Sequence, residues 1–274
     1  MDYLYDGTYT GFMTSLYLHF KYRESTGIYS KKFYQESLTS NYKIVKTNED
    51  LSQKMEGLIR DKISSRALKL IYYSFLSNEE KKEMFIIKFV KLGLIKGNIT
   101  GLYSHEDTFP LQKIYDKVSK EKHRFLGIIR FKDINGVLFS KYSPDHDITE
   151  LIMPHFSDRY KNENLIIFDE KRLKAGIYNK NEWYLSKIDK RIYDKFKDEE
   201  EIYEKMWREY FNSISIDDRK NLKAQFQFVP YRYRKKALKA EKGNVIKAAE
   251  RLNIGKSTVY RKIKRFNIDT QLYK

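Results

Sequence analysis

The stretch Phe125-Leu-Gly-Ile-Ile-Arg-Phe-Lys-Asp-Ile-Asn-Gly-Val-Leu-Phe-Ser-Lys-Tyr142 decides the fold, because it interrupts a helical pattern with two β-prone runs. The runs cover residues 125–131 and 137–142, and Asn135-Gly136 lies between them. Asn-Gly is the strongest short hairpin signal, since both residues tolerate a positive φ. The stretch therefore predicts an antiparallel β-hairpin.

The pattern after this hairpin predicts more strands. Residues 165–168, 173–178 and 183–185 are short β-prone runs, and Asn179-Lys-Asn181 suits a turn between the last two. With the hairpin, they predict an antiparallel sheet of about five short strands. Residues 199–211 return to a helical period, with one apolar face.

The N-terminal half predicts four helices. The first covers residues 10–20, the second begins at Asn48 and runs towards Phe75, the third follows Ser77-Asn-Glu-Glu80, and the fourth follows Thr108-Phe-Pro110. The predicted class is α+β, with a helical N-terminal half, the sheet and a C-terminal helix-turn-helix. We expect one α+β domain over residues 1–229 and a separate segment over 230–274.

Composition excludes several classes of site and protein. The chain of 274 residues has no Cys, which excludes disulfide frameworks, thiolate metal sites and thiol nucleophiles. Its 23 tyrosines and 15% aromatic content favour a packed core over disorder. No signal peptide or membrane span is apparent, so we expect a cytoplasmic protein that does not contact a membrane.

Positive charge is concentrated at the C-terminal end. The net charge is +17, and residues 231–274 hold 14 basic and 3 acidic residues, a net +11. Such a segment favours polyanions, because each neutralised phosphate releases condensed counterions. A solvated lysine-rich surface, encouraged by an AT-rich coding bias, would give the same composition.

Residues 243–268 follow the pattern of a helix-turn-helix. Ala248 and Ala249 are small where two helices would cross, and Asn253 suits the turn. The second helix would present polar side chains to the major groove. The predicted DNA-binding residues are Lys256, Ser257, Thr258, Tyr260, Arg261, Lys262, Lys264 and Arg265. A basic helical hairpin that only packs on the main domain is the alternative.

This segment resembles the Fis-type helix-turn-helix of Fis and of NtrC-like bacterial regulators. The shared pattern is carried by Gly243-Asn, Ala248-Ala249, Leu252, Ile254 and Thr258-Val259. Asn253 stands where that family usually has glycine, and Tyr260 where a basic residue is common. The resemblance implies binding to double-stranded DNA.

The main domain also resembles a known family over residues 3–229. The motifs are Tyr5-Asp-Gly-Thr-Tyr-Thr-Gly-Phe12, residues 123–131, Ser143-Pro-Asp-His-Asp147 and residues 154–160. They are similar to a bacterial DNA repair or DNA metabolism family, whose members are commonly encoded beside a radical-SAM DNA repair protein. The resemblance implies a link to DNA repair and such a protein as a partner, without implying a reaction.

Histidines, arginines and one aspartate in these motifs form the candidate site. They are His123, Arg124, Arg130, Asp145, His146, His155 and Arg159. Arginine forks and protonated histidines suit phosphate oxygens, so convergence at one end of the sheet would hold a phosphate or nucleotide. A shared metal is less favoured by the spacing across Pro154, and buried structural roles are the third possibility. Asp147-Ile-Thr-Glu150 has the form of a helix-capping box.

Three functions fit the sequence. The leading hypothesis is a DNA-binding accessory protein of DNA repair, with no metal or cofactor predicted. The alternatives are an enzyme acting on damaged DNA or nucleotides through the histidines and arginines, and a transcription regulator that senses a ligand. Walker A, G-x-G-x-x-G, G-x-S-x-G and H-E-x-x-H motifs are absent, which lowers the enzyme hypothesis.

Overall fold

A computed structural model describes residues 1–35, 41–134 and 136–188. Within these residues the chain forms six helices, a three-stranded sheet and a five-stranded sheet, which agrees with the predicted α+β class. The chain divides into two compact units. Unit 1 comprises Met1–His123 and Pro144–Phe156, and unit 2 comprises Arg124–Ser143 and Ser157–Lys274, described as far as residue 188.

Unit 1 contains a parallel sheet that the sequence did not predict. Its strands are β1 (Asp2–Tyr5), β2 (Ile28–Ser30) and β3 (Tyr42–Ile44), in the order β2-β1-β3. Helix α1 (Tyr9–Tyr22) connects β1 to β2. The strands have only three or four residues each, too few for a period-two pattern to stand out from the surrounding sequence.

The first three helices of unit 1 begin at polar caps, with one correction to the predicted number of helices. The predicted second helix is two helices, α2 (Glu49–Lys62) and α3 (Ser65–Phe75). Asn48 caps α2 as predicted, by accepting from the backbone N–H of Leu51 at 2.9 Å. Ser64 caps α3 by accepting from Ala67, which starts a new helix within one apolar stripe.

The third predicted helix begins later than expected. Helix α4 (Lys82–Lys96) has Lys81 at its N-cap and no capping side chain. The Ser77 hydroxyl instead accepts from the backbone N–H of Glu79, so the predicted capping box is wrong. Helix α5 (Phe109–Ile128) carries Pro110 in its first turn as predicted.

Aromatic rings form the centre of the core of unit 1. The Phe12 ring stacks on Phe75 at 5.6 Å between centroids, and Tyr5 meets Phe12 edge-on at 5.5 Å. The buried Tyr5 hydroxyl donates to a carboxylate oxygen of Glu83 at 2.7 Å. Burial, followed by this neighbouring carboxylate, raises the pKa of Tyr5 far above its usual value.

Unit 2 contains the predicted five-stranded sheet, with two corrections. Residues 125–128 belong to α5, so the first strand is the shorter β4 (Lys132–Ile134), paired with β5 (Val137–Tyr142) as an antiparallel ladder. An apolar run with β-branched residues suits either a helix or a strand, and here it completes the helix. The sheet continues with β6 (Asn164–Asp169), β7 (Lys174–Asn179) and β8 (Trp183–Lys187) in chain order.

The second correction concerns strand direction. Strands β5 and β6 pair in parallel, whereas the other neighbours are antiparallel. Helix α6 (Thr149–Arg159) lies between these two strands in the chain, as a parallel connection requires. On one face of this sheet Ile134, Phe139, Phe168 and Ala175 pack together.

Candidate functional site

The loop before α6 is held by a carboxylate that the sequence analysis did not single out. Glu121 of α5 is fully buried, and its two carboxylate oxygens accept from the backbone N–H groups of Asp145 at 2.9 Å and His146 at 2.8 Å. Two hydrogen bonds to an ionised acceptor stabilise a turn strongly. Glu121 thus fixes where the Asp145-His146 pair lies in unit 1.

His146 is a buried residue of this loop. Its side chain is 8% exposed, and its Nδ1 accepts from the backbone N–H of Asn78 at 3.2 Å. An accepting Nδ1 places the ring proton on Nε2 of a neutral imidazole. The next residue, Asp147, donates its backbone N–H to the carbonyl of Leu76 at 2.9 Å. These bonds tie the loop to the segment that follows α3.

Helix α6 begins one residue later than the capping box predicted over residues 147–150 requires. Helix α6 begins at Thr149, and the carbonyl of Ile148 accepts from Leu151 and Ile152, so Ile148 is the N-cap residue. Burial, followed by the hydrogen bond that the Tyr72 hydroxyl donates to the Glu150 carboxylate, raises the pKa of Tyr72 well above its usual value. Asp147 therefore lies one residue before the cap.

Two other histidines of the predicted site are on the surface of unit 1. His123 near the end of α5 and His155 in α6 are both exposed. The His155 ring meets Phe156 edge-on at 5.1 Å between centroids. Exposed imidazoles of this kind are free to meet a solvent-borne anion, whereas His146 is engaged in the fold.

The three arginines belong to unit 2. Arg130 donates from Nη1 to the carbonyls of Gly127 at 2.7 Å and Ile129 at 3.0 Å, so it caps the C-terminal end of α5. The Arg159 guanidinium lies over the ring of Tyr160, 5.7 Å from its centroid. Arg124 is half-buried. Convergence of these arginines and the histidines on one anion remains a prediction.

Among the side chains described, no group of three or more His, Asp or Glu is arranged to hold a metal ion.

The motif at residues 5–12 forms a polar junction in unit 1. The Asp6 carboxylate accepts from the N–H and hydroxyl of Thr8 at 2.9 and 2.6 Å, and from the hydroxyl of Thr47 at 2.8 Å. Asp6 therefore joins the loop after β1 to the loop after β3.

This junction also explains two features of its motif. Gly7 has a φ of +91°, a conformation that suits glycine, and a Cβ on Gly11 would collide with the Asp6 carboxylate. Burial acts to raise the pKa of Asp6, but the hydrogen bonds from Thr8 and Thr47 outweigh it and hold the pKa below its usual value. A tight Asp-Gly-Thr turn was the signal that could have identified this residue.

A family model for a domain of unknown function, DUF4130, matches residues 80–238. The chain belongs to the DUF4130 family. This match includes α4 to α6, the five-stranded sheet, and the Glu121 and His146 pair. DUF4130 carries no established activity, so membership assigns no role to the histidines and arginines.

A second family model, the bacterial regulatory protein of the Fis family, matches residues 235–266. It confirms the resemblance to a Fis-type helix-turn-helix and points to DNA binding in the C-terminal part. The eight predicted DNA-binding residues, from Lys256 to Arg265, fall inside this match and outside the described residues. The predicted helix at residues 199–211 also lies outside them. No curated protein and no solved structure matches the chain.

Within residues 1–35, 41–134 and 136–188, none of the helices has the length and apolar character needed to cross a bilayer.

Proposed function

We propose that this DUF4130 protein is a DNA-binding accessory protein of DNA repair or DNA metabolism, and that it docks on duplex DNA through its Fis-type segment. The observation that carries the proposal is the Fis-family match at residues 235–266. It coincides with the basic C-terminal segment, residues 231–274, which contains 14 basic and 3 acidic residues. A helix-turn-helix uses such charge to hold phosphates on either side of the groove.

The repair link and the partner are finer parts of the proposal. They rest on the resemblance of the main domain to a DNA repair or metabolism family, which also suggests a radical-SAM DNA repair protein as a partner. A gene for such a protein beside this one, and co-purification of the two products, would support the partnership. Neither observation would bear on how the C-terminal segment binds DNA.

Deletion of residues 243–274 tests the docking proposal. It should abolish most binding to duplex DNA, measured by fluorescence anisotropy on several unrelated sequences. Circular dichroism should show that the rest of the chain remains folded. Unchanged affinity after deletion would show that the segment is a structural hairpin and that another part of the chain holds the duplex.

A single substitution tests base recognition. In the helix-turn-helix pattern Lys256 falls near the start of the predicted second helix, where we expect contact with bases, so Lys256→Gln should cost about 1–3 kcal/mol at a preferred site and little elsewhere. Lys54→Gln, an exposed lysine of α2, is the charge-matched control. An equal loss on every sequence would place Lys256 among the phosphate contacts.

The enzyme hypothesis is tested by pairing two changes at His146. His146→Asn offers a side-chain oxygen near the position of Nδ1, whereas His146→Ala removes the acceptor for Asn78. If His146 is structural, the asparagine variant should be the more stable of the two in urea unfolding. Turnover of damaged oligonucleotides by the wild type, lost in both variants while both remain folded, would favour the enzyme.

A further inference from the structure

The three-stranded sheet of unit 1 has one face that its own core does not use. Tyr3 and Tyr5 of β1 and Ile28 of β2 point into the core. The register pairs Leu4 with Tyr29 and with Ile44, and Asp2 with Tyr42, so these side chains share the opposite face. Leu4 on the central strand is buried, and the exposed residues of this face belong to the two flanking strands. Tyr29 is 46% exposed, Tyr42 42% and Ile44 57%. We refer to Tyr29, Tyr42, Ile44 and the adjoining Phe33 and Tyr34 as the open face.

An open face is unusual for this kind of sheet. All-parallel sheets are normally covered on both sides, and their strands read as apolar because both faces are buried. Here β3 is an edge strand whose three residues are all exposed, and Phe33 is 78% exposed. Exposed rings grouped on one surface mark a site of interaction.

The rings of the open face are held in place as a group. The Tyr34 ring lies 5.5 Å from Tyr29 and 5.8 Å from Tyr42, measured between centroids. The Tyr34 hydroxyl donates to a carboxylate oxygen of Asp2 at 3.0 Å, and the Thr26 hydroxyl donates to the other oxygen. Asp2 thus holds the Tyr34 ring in position, and its carboxylate accepts hydrogen bonds at both oxygens.

The charge around the open face selects its partner. Three exposed lysines, Lys31, Lys32 and Lys46, lie on or beside the strand ends next to the open face, and the Asp2 carboxylate on this face is hydrogen bonded. Lys32 lies over the Phe33 ring at 5.4 Å from its centroid. Aromatic rings interleaved with lysines suit a flexible polyanion whose bases can stack, since every base has a π-face.

We infer that the open face binds single-stranded DNA, with bases stacked on Tyr29, Tyr42 and Phe33 and phosphates neutralised by the neighbouring lysines. Sheet faces with exposed aromatics bind single strands in this way in other folds. The choice of DNA over RNA rests on the proposed function. The stacking surface itself does not, because it lies in unit 1 and is built without the C-terminal segment.

The experiment measures binding of the full chain to fluorescein-labelled oligo-dT of about 20 nucleotides by anisotropy. Tyr29→Leu and Tyr42→Leu keep apolar bulk and remove the aromatic face. Each should weaken binding about 5- to 100-fold, as expected for one lost base-stacking contact. Tyr184→Leu on edge strand β8, a tyrosine 47% exposed, is the matched control and should change nothing.

Further arms separate this inference from the proposed function. Affinity for a duplex of equal length should stay unchanged in Tyr29→Leu and Tyr42→Leu, whereas deletion of residues 243–274 should abolish it. Should either tyrosine variant lose its thermal transition, Phe33→Leu takes its place, because that ring is almost fully in solvent. Phe109→Leu, also exposed, is its control.

Several results would overturn the inference. They are the absence of oligo-dT binding by the wild type, unchanged affinity in the open-face variants, and an equal loss in the controls. Tighter binding to oligo-U than to oligo-dT would overturn the assignment to DNA. A change of oligomeric state in the variants at unchanged oligo-dT affinity would assign the face to a second copy of the chain.

Discussion

At the scale of single residues, a buried carboxylate explains the local structure better than the histidine beside it. Glu121 lies on the buried stripe of α5 that also carries Ile114, Val118 and Phe125. A charged residue on such a stripe costs free energy unless hydrogen bonds compensate it, and here the backbone of residues 145 and 146 does so. The acidic position within an apolar period was the signal available in the sequence.

Glu121→Gln should lower the free energy of unfolding by about 1–3 kcal/mol. The amide keeps one acceptor oxygen, but its NH₂ group faces a backbone N–H and leaves that donor unsatisfied. Urea unfolding monitored by circular dichroism measures the change. Asp116→Asn on the same helix, an exposed carboxylate that accepts from Gln112, is the control. Equal stability of the two variants would contradict this account.

Asp6 should make stability depend on pH in a predictable direction. Its folded-state pKa is lowered, so its contribution is complete above the unfolded value of about 3.9 and is lost as the pH falls through the folded value. Asp6→Asn should therefore be less stable than the wild type at pH 7, and the difference should shrink in strong acid. Asp61→Asn, an exposed carboxylate of α2, should show no such difference. A difference in stability between the wild type and Asp6→Asn that stays constant with pH would refute the lowered pKa of Asp6.

At the scale of elements, two helical glycines should respond oppositely to a methyl group. Gly57 in α2 has nothing within 4 Å of a Cβ, so Gly57→Ala should stabilise by about 0.5–1 kcal/mol through helix propensity. Gly11→Ala in α1 should destabilise, because its Cβ would displace the Asp6 carboxylate and crowd Thr47. Thermal unfolding of both variants measures the contrast. A higher melting temperature for Gly11→Ala would show that the hydrogen bonds around Asp6 rearrange without loss of stability.

Helices were predicted from the sequence more completely than strands, for physical reasons. Asn48 and Pro110 carry local signals, a cap and a first-turn preference, that need no distant partner. The parallel strands β1 to β3 depend on pairing between residues that are far apart in the chain, which no local pattern records. Likewise, the end of α5 at Ile128 follows from tertiary context, because its last turn has the composition of a strand.

Residue type and spacing selected the candidate residues, and whether they form one site stays a prediction. His146 proved to be buried and hydrogen bonded, and Arg130 caps its own helix, while His123 and His155 are exposed. Burial and backbone partners depend on the fold, so residue type and spacing could not distinguish these cases.

At the scale of the whole molecule, positive charge is concentrated in the C-terminal segment. The C-terminal 44 residues hold a net +11 of the total +17, and a Fis-family match lies within them. The rest of the chain, which includes the open face and the loop before α6, has a much lower density of positive charge. Phosphate contacts should therefore dominate duplex binding, with weak sequence preference.

A salt titration of duplex binding tests this central claim most directly. The full chain is compared with the double variant Arg261→Gln/Lys264→Gln and with a control that removes two exposed charges of α2, Lys54→Gln/Arg60→Gln. The C-terminal double variant should lose affinity almost equally on all sequences, and the slope of log affinity against log salt should fall by about 1 for each lost phosphate contact. The control should keep its slope. An unchanged slope in the C-terminal variant, or an equal fall in the control, would contradict docking through the Fis-type segment.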